Sequence, residues 1–160
     1  IVSDVEQNDD VLFKPLFSYE MVGICSKDHP LANKEVWQAE DFAEETWVTY
    51  PVPDDILDLY RQVLKPKGIN PPRRTTELTI ALIQLVASRR GIATVPYWAA
   101  LPYLEKGYVV ARKITEEGLY SNLYAAIRKE DANLAYIEDF HQTVKAQSFS
   151  TLPCLSVLEL

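Results

Sequence analysis

Residues 77–96 read ELTIALIQLVASRRGIATVP, and the fold turns on how this stretch is read. Leu78, Leu82, Ile83, Leu85 and Val86 recur at helical spacing and predict an apolar helix over about 78–90. Arg89 and Arg90 put positive charge in its last turn, where the helix dipole is negative, and Gly91 just beyond can take the positive φ that ends a helix. Ile92 to Val95 is a short apolar run that closes on Pro96. Such a run directly after a helix predicts a strand buried on both faces, as in a parallel α/β sheet.

Working outward, helices and strands alternate. On the N-terminal side, Val11 to Lys14, Tyr19 to Ser26 and Thr46 to Tyr50 are strand-like, and Asp41-Phe42-Ala43 opens a short helical piece. Pro51-Val52-Pro53 is a loop leading to Asp54 and Asp55, two acids suited to capping a helix over roughly 55–65. Pro66 and Gly68 end that helix, and a short strand follows near 73–76. On the C-terminal side, Pro96 suits a first helical position, and Tyr97 to Lys106 predicts a short helix broken near Pro102. Tyr108 to Ile114 and Leu119 to Arg128 are β-rich, and Leu134, Ile137, Phe140 and Val144 mark an amphipathic helix over 134–147. This order argues a parallel or mixed α/β sheet.

Composition narrows the function. The chain has 160 residues and a net charge of −7, so it repels a phosphate backbone rather than seeking it. The densest basic cluster, Lys65, Lys67, Arg73 and Arg74, reads as a solvated turn. Cys25 and Cys154 are too far apart in sequence to form a disulfide framework or a metal motif. There is no signal peptide and no long apolar run, so a cytoplasmic setting without a membrane span is expected. Ile1-Val2-Ser3-Asp4-Val5 reads like a strand entered midway, as in a fragment of a longer polypeptide.

Three spaced stretches, Ser26 to Ala32, Thr46 to Pro51 and residues 77–96, resemble in order the effector-binding domain of LysR-type transcriptional regulators. Residues 82–87, 118–121 and 123–126 are similar to the methionine-biosynthesis regulators of that family. The resemblance covers about residues 1–146 and implies a two-lobed, periplasmic-binding-protein-like (type 2) α/β fold with its first lobe incomplete at the N-terminus. It implies residues 1–40 as the rest of the first lobe and the crossover, 41–118 as the second lobe, and 119–147 as the return strand and helix. Residues 148–160 form a tail of unassigned structure. The resemblance also implies a small-molecule effector, homocysteine, and no cofactor. The expected partners are further copies of the chain, as dimer or tetramer, and DNA through an N-terminal winged helix-turn-helix that this chain lacks.

An amino acid bound in an inter-lobe cleft needs carboxylate donors, an ammonium partner and an apolar wall. Ser3 and Asp4 follow a strand that the family places at its cleft; Ser3 offers a donor and Asp4 an ammonium partner, though a turn or cap pair reads equally well. Tyr50, Pro51 and Val52 end a second strand and offer an apolar wall, with Asp54 either a second ammonium partner or a helix cap. Thr76 and Glu77 end a third strand, where capping is the competing role, and Val95 and Pro96 end a fourth, where core packing competes.

Catalytic and metal readings are weaker. Cys25, Asp28 and His29 lie close in sequence, yet on a strand and turn their side chains need not meet, and His141 reads as a surface or interface residue. No phosphate loop or nucleophile elbow occurs, and no catalytic or metal-ligating residue is assigned. Trp37, Trp47 and Trp98 read as core aromatics. The competing functions are a periplasmic-type solute-binding protein for an amino acid or small anion and a small α/β enzyme.

Overall fold

A computed structural model describes residues 1–3, 5 and 8–158. The strands are, in chain order, β1 (Val11–Cys25), β2 (Val36–Trp37), β3 (Trp47–Thr49), β4 (Arg73–Thr75), β5 (Ile92–Pro96), β6 (Val110–Ile114), β7 (Leu119–Arg128) and β8 (Leu155–Ser156). The α-helices are α1 (Thr79–Ala87), α2 (Tyr97–Glu105) and α3 (Ala135–Thr151). Two compact units form: residues 1–19 with 120–160, and residues 20–119. The second unit takes in residues 20–40, the later part of the segment that the sequence assigns to the rest of the first lobe and the crossover. The reason is pairing: the second half of β1 lies between β5 and β6, and β2 pairs with β6.

In the second unit the strand order is β2-β6-β1-β5-β3-β4. β5 runs parallel to β3 and antiparallel to β1, and β3 runs parallel to β4. Strand alternation sorts the core into two layers. Ile92, Trp47 and Cys25 pack on one face with Trp37, Phe42, Leu59, Leu64 and Ile114. Ala93, Val95, Val48 and Ile24 pack on the other against Leu82, Ile83 and Val86 of α1 and Ala100 of α2. β5 is thus buried on both faces, as its apolar run predicts.

α1 ends at Ala87, three residues earlier than expected. Arg89 takes the left-handed conformation (φ 59°), its N–H bonds the Val86 carbonyl, and the Arg90 N–H bonds the Leu85 carbonyl. This is the paired closure of a helix end, with an arginine where glycine was expected. Gly91 is required for another reason. A Cβ there would lie 2.2 Å from the Thr46 carbonyl oxygen, and φ is 148°. That approach lets the Ile92 N–H reach the same carbonyl at 2.9 Å. Gly23 in β1 similarly leaves room for the Trp37 ring, 2.4 Å from where a Cβ would stand.

The stretch read as a helix over 55–65 is helical without a break from residue 58 to 67, but its geometry changes along the run and a separate turn precedes it. A 3-10 turn spans Asp54–Ile56, a widened π turn spans Tyr60–Leu64, and a second 3-10 turn spans Lys65–Lys67. Pro66 shortens the last piece, and Gly68 exits in the left-handed region. α2 runs through Pro102 without breaking. Trp37 and Trp47 are fully buried, whereas Trp98 is only partly so.

In the first unit, β1 is one continuous strand through Pro15, where two shorter strands were expected. The Pro15 carbonyl accepts a bond from His141 Nε2 at 3.0 Å, and His141, read as a surface or interface residue, is buried within the chain. β7 and β8 both pair with β1, and β8 pairs Ser18 with Ser156 and Tyr19 with Leu155. Of the tail, the first residues extend α3 to Thr151, and Leu155–Ser156 return as β8. The apolar stripe of α3 is not packed away: Leu134 and Phe140 are exposed, and Phe140 and Ile137 line an open groove with Ile1, Ala125 and Ile127.

Burial lifts the Cys25 thiol to about 11, mainly by desolvation, with Arg112 opposing and Glu45 adding to the rise. Cys154 is exposed. A thiol reagent near neutral pH should modify Cys154 in the native chain and reach Cys25 only after denaturation, which mass spectrometry of the peptides checks. Gly91→Ala should lower stability by roughly 2–4 kcal/mol in denaturant titration, since backbone rather than a flexible side chain meets the added carbon.

Candidate functional site

Three consecutive strand-to-helix connections of the second unit turn at one edge of its sheet. β3 leads through residues 50–53 to the 3-10 turn, β4 leads through residues 76–78 to α1, and β5 passes at Pro96 directly into α2. Because the strands are parallel and in register, their carboxyl ends lie side by side; the Thr76 N–H bonds the Thr49 carbonyl at 3.0 Å. Open α/β sheets bind ligands at such edges. The amino end of α1 opens here. Its first intrahelical bond runs from the Leu82 N–H to the Leu78 carbonyl, and Leu78 supplies no side-chain cap. The amides of the first turn and the helix dipole favour a negative group at this point.

Most of the sequence-predicted residues gather on this edge. The Tyr50 hydroxyl and Thr79 Oγ1 are 2.8 Å apart, so the loop after β3 is tied to the first residue of α1. Pro51 and Val52 are exposed, and the Val52 N–H bonds back to the Tyr50 carbonyl at 2.9 Å. Thr76 is partly buried and Glu77 is exposed, and neither caps α1. Pro96 is partly buried at the amino end of α2, whereas Val95 is fully buried against α1 and α2 and has its side chain in the core. Ser3 belongs to the first unit, exposed, beside Val2, whose backbone exchanges hydrogen bonds with Tyr124. Asp4 lies outside the described residues.

Neither acid of the expected capping pair caps. Asp54 pairs with Arg73 and Asp55 with Lys65, and Pro53 occupies the cap position. Arg73 was read only as part of a basic turn. Its guanidinium lies 5.1 Å from the ring centroids of both Trp47 and Tyr60. Lys67 reaches Glu40, so three of the four cations in that cluster have acidic partners. An Arg nineteen residues after a loop acid carries no motif; only the β3/β4 register, which sets Arg73 beside Trp47, brings them together.

The catalytic alternative does not assemble. His29 Nδ1 accepts the Leu31 N–H at 3.2 Å, His29 Nε2 faces Glu45 at 3.2 Å, and Asp28 pairs with Arg89, so the ring caps a 3-10 turn rather than activating Cys25. No group of His, Cys, Asp and Glu side chains able to hold a metal occurs among the described residues. No helix among them is long and apolar enough to cross a membrane.

The mixed sheet with its row of strand-to-helix turns is that of a regulator's effector domain: residues 1–148 match the LysR substrate binding domain, and the chain belongs to that family. It is 82% identical over its whole length to the HTH-type transcriptional regulator MetR of Haemophilus influenzae, of which it spans 52%. The regulatory domain of MetR from N. meningitidis, a LysR family regulator, superposes with a TM-score of 0.93 at 62% identity, over 99% of this chain and 76% of that one. The effector-binding domain of QuiR, solved with shikimate, shares the fold alone (22% identity, TM-score 0.76, 94% of this chain and 71% of that one). The curated relatives are transcriptional regulators, and the chain spans about half of their length.

A double-mutant cycle of Tyr50→Phe and Thr79→Val should give a coupling of about 1 kcal/mol in thermal or chemical unfolding, the usual worth of a partly buried neutral hydrogen bond.

Proposed function

We propose that this chain is the effector-sensing domain of a LysR-type regulator of methionine biosynthesis, and that its effector is homocysteine. The observation that carries the reading is 82% identity, without a gap in coverage of this chain, to the MetR regulator of Haemophilus influenzae. The geometry of the second unit is compatible with an amino acid. First-turn amides of α1 suit a carboxylate, Glu77 offers a counter-charge to an ammonium, and Pro51, Val52 and Pro96 offer apolar surface for a short thiol side chain. Ser3 and Asp4 remain further candidates for the same ligand, and self-association as a dimer or tetramer would transmit its effect. Binding would act by population shift: the effector favours one conformation of the domain, and that bias changes how the assembly presents its DNA-binding heads.

Calorimetric titration with L-homocysteine, against methionine and cysteine, tests the ligand. A dissociation constant in roughly the 1–100 μM range, with the comparators at least about tenfold weaker, is expected. Replacing the matching half of the Haemophilus influenzae relative by this chain tests the regulation. A methionine-gene reporter driven by the chimera should respond to homocysteine. Equal binding of all three amino acids removes homocysteine as the effector; selective binding without a reporter response removes the regulatory mechanism.

A further inference from the structure

Arg73 is met by three partners from different parts of the second unit. Trp47 comes from β3, Tyr60 from the π turn, and Asp54 from the 3-10 turn that follows the exposed loop. Trp47 is 1% exposed and is Arg73's direct neighbour across the β3/β4 ladder, so one ring is an immobile platform and the ladder delivers the cation to it. Tyr60 opens the widened turn, in which the Lys65 N–H reaches back to the Tyr60 carbonyl. Such turns are uncommon and concentrate at functional sites.

An exposed ion pair by itself contributes little, because two long side chains must be ordered to form it. Here the ordering is done beforehand. The planar guanidinium is held over two rings, only a quarter of the Arg73 side chain is exposed, and the carboxylate meets a fork already aimed. The pair therefore acts as a fixed anchor rather than a fluctuating surface contact.

What it anchors is the loop with the candidate effector contacts. Tyr50 fastens one end through Thr79, and Asp54 fastens the other through Arg73. Between these two points stand Pro51 and Val52, exposed, with the Val52 N–H bonded only to its own loop at the Tyr50 carbonyl. Where that apolar wall stands is set by its two ends. We infer that Arg73 is a positioning residue of the effector site: without touching the effector, it holds residues 50–54 through Asp54 and so sets the place of the wall. The inference rests on the effector reading above. It also assigns the Asp54 carboxylate to Arg73 instead of to the effector's ammonium.

Three variants test it. Arg73→Met keeps the apolar stem and removes the cation, Arg73→Lys keeps the charge without the planar fork, and Asp54→Asn removes the ion pair while keeping the size. Amide hydrogen exchange is measured without ligand, followed by L-homocysteine titration. In Arg73→Met, exchange at Ile56 and Leu57 should quicken about tenfold and homocysteine should bind about tenfold more weakly, with the α1 and β5 amides unchanged. Arg73→Lys and Asp54→Asn should fall between Arg73→Met and the wild type on both measures. Wild-type exchange and affinity in Arg73→Met overturn the inference. So does an Asp54→Asn chain that loses binding while its loop exchanges at the wild-type rate, because Asp54 is then a direct ligand. Should Arg73→Met fail to fold, Asp54→Asn decides alone. A wild-type chain that does not bind homocysteine overturns the effector reading only, and the exchange comparison still decides whether Arg73 holds the loop.

Discussion

The approach of Gly91 to the Thr46 carbonyl is the constraint on which the second unit depends. It brings β5 within hydrogen-bonding range of β3 at the first residue of the strand, and the parallel register follows from there. With β3 and β4 paired in the same sense, three strands end together and three helical segments begin at the same edge. Every candidate site residue of this unit lies on that edge because the register puts it there. A side chain at Gly91 would push the backbones apart, and the edge would lose its alignment before any site residue was changed.

Much of this order is legible in the sequence because it rests on local chemistry. The run from Ile92 to Val95 is apolar at every position but Thr94, which only a strand buried on both faces tolerates, and α1 announces itself by spacing. The errors fall where tertiary contacts override local preference. Arg89 closes α1 in a left-handed conformation that its sequence neighbourhood assigns to glycine. The helix read over 55–65 begins only at residue 58 and carries a π turn from Tyr60, whose ring meets Arg73 from a strand distant in sequence. His141 reads as polar surface until the Pro15 carbonyl supplies its partner from the other end of the chain. The pairing of residues 20–40 with strands of the second unit is set by long-range contacts in the same way, and no single segment encodes it.

The candidate site divides in the same way. Strand ends are recognisable as strand ends, so the positions of Tyr50, Thr76 and Pro96 at or just past them are legible in the sequence. Their side-chain roles are not. Val95 turns inward because alternation along β5 sends it to the face that packs α1 and α2. Glu77 and Thr76 leave the amino end of α1 without a side-chain cap, and a helix end so left keeps its amides for another acceptor. A cap would have stabilised the helix at the cost of that capacity.

Charge organisation leads to the same division between scaffold and site. The chain is acidic overall, and Lys65, Lys67, Arg73 and Arg89 are each spent on an acid of the chain itself. Of these, Arg73 differs in kind. Exposed pairs such as Lys65 with Asp55 can exchange with water at little expense and order nothing. Arg73 cannot leave its rings without giving up contact with Trp47, which the core holds still. A charge fixed to the core and paired with a loop acid transfers the rigidity of the sheet to a segment that has almost no packing of its own. An exposed apolar wall needs that rigidity to discriminate between ligands differing by one methyl group, since a wall free to move would accommodate both.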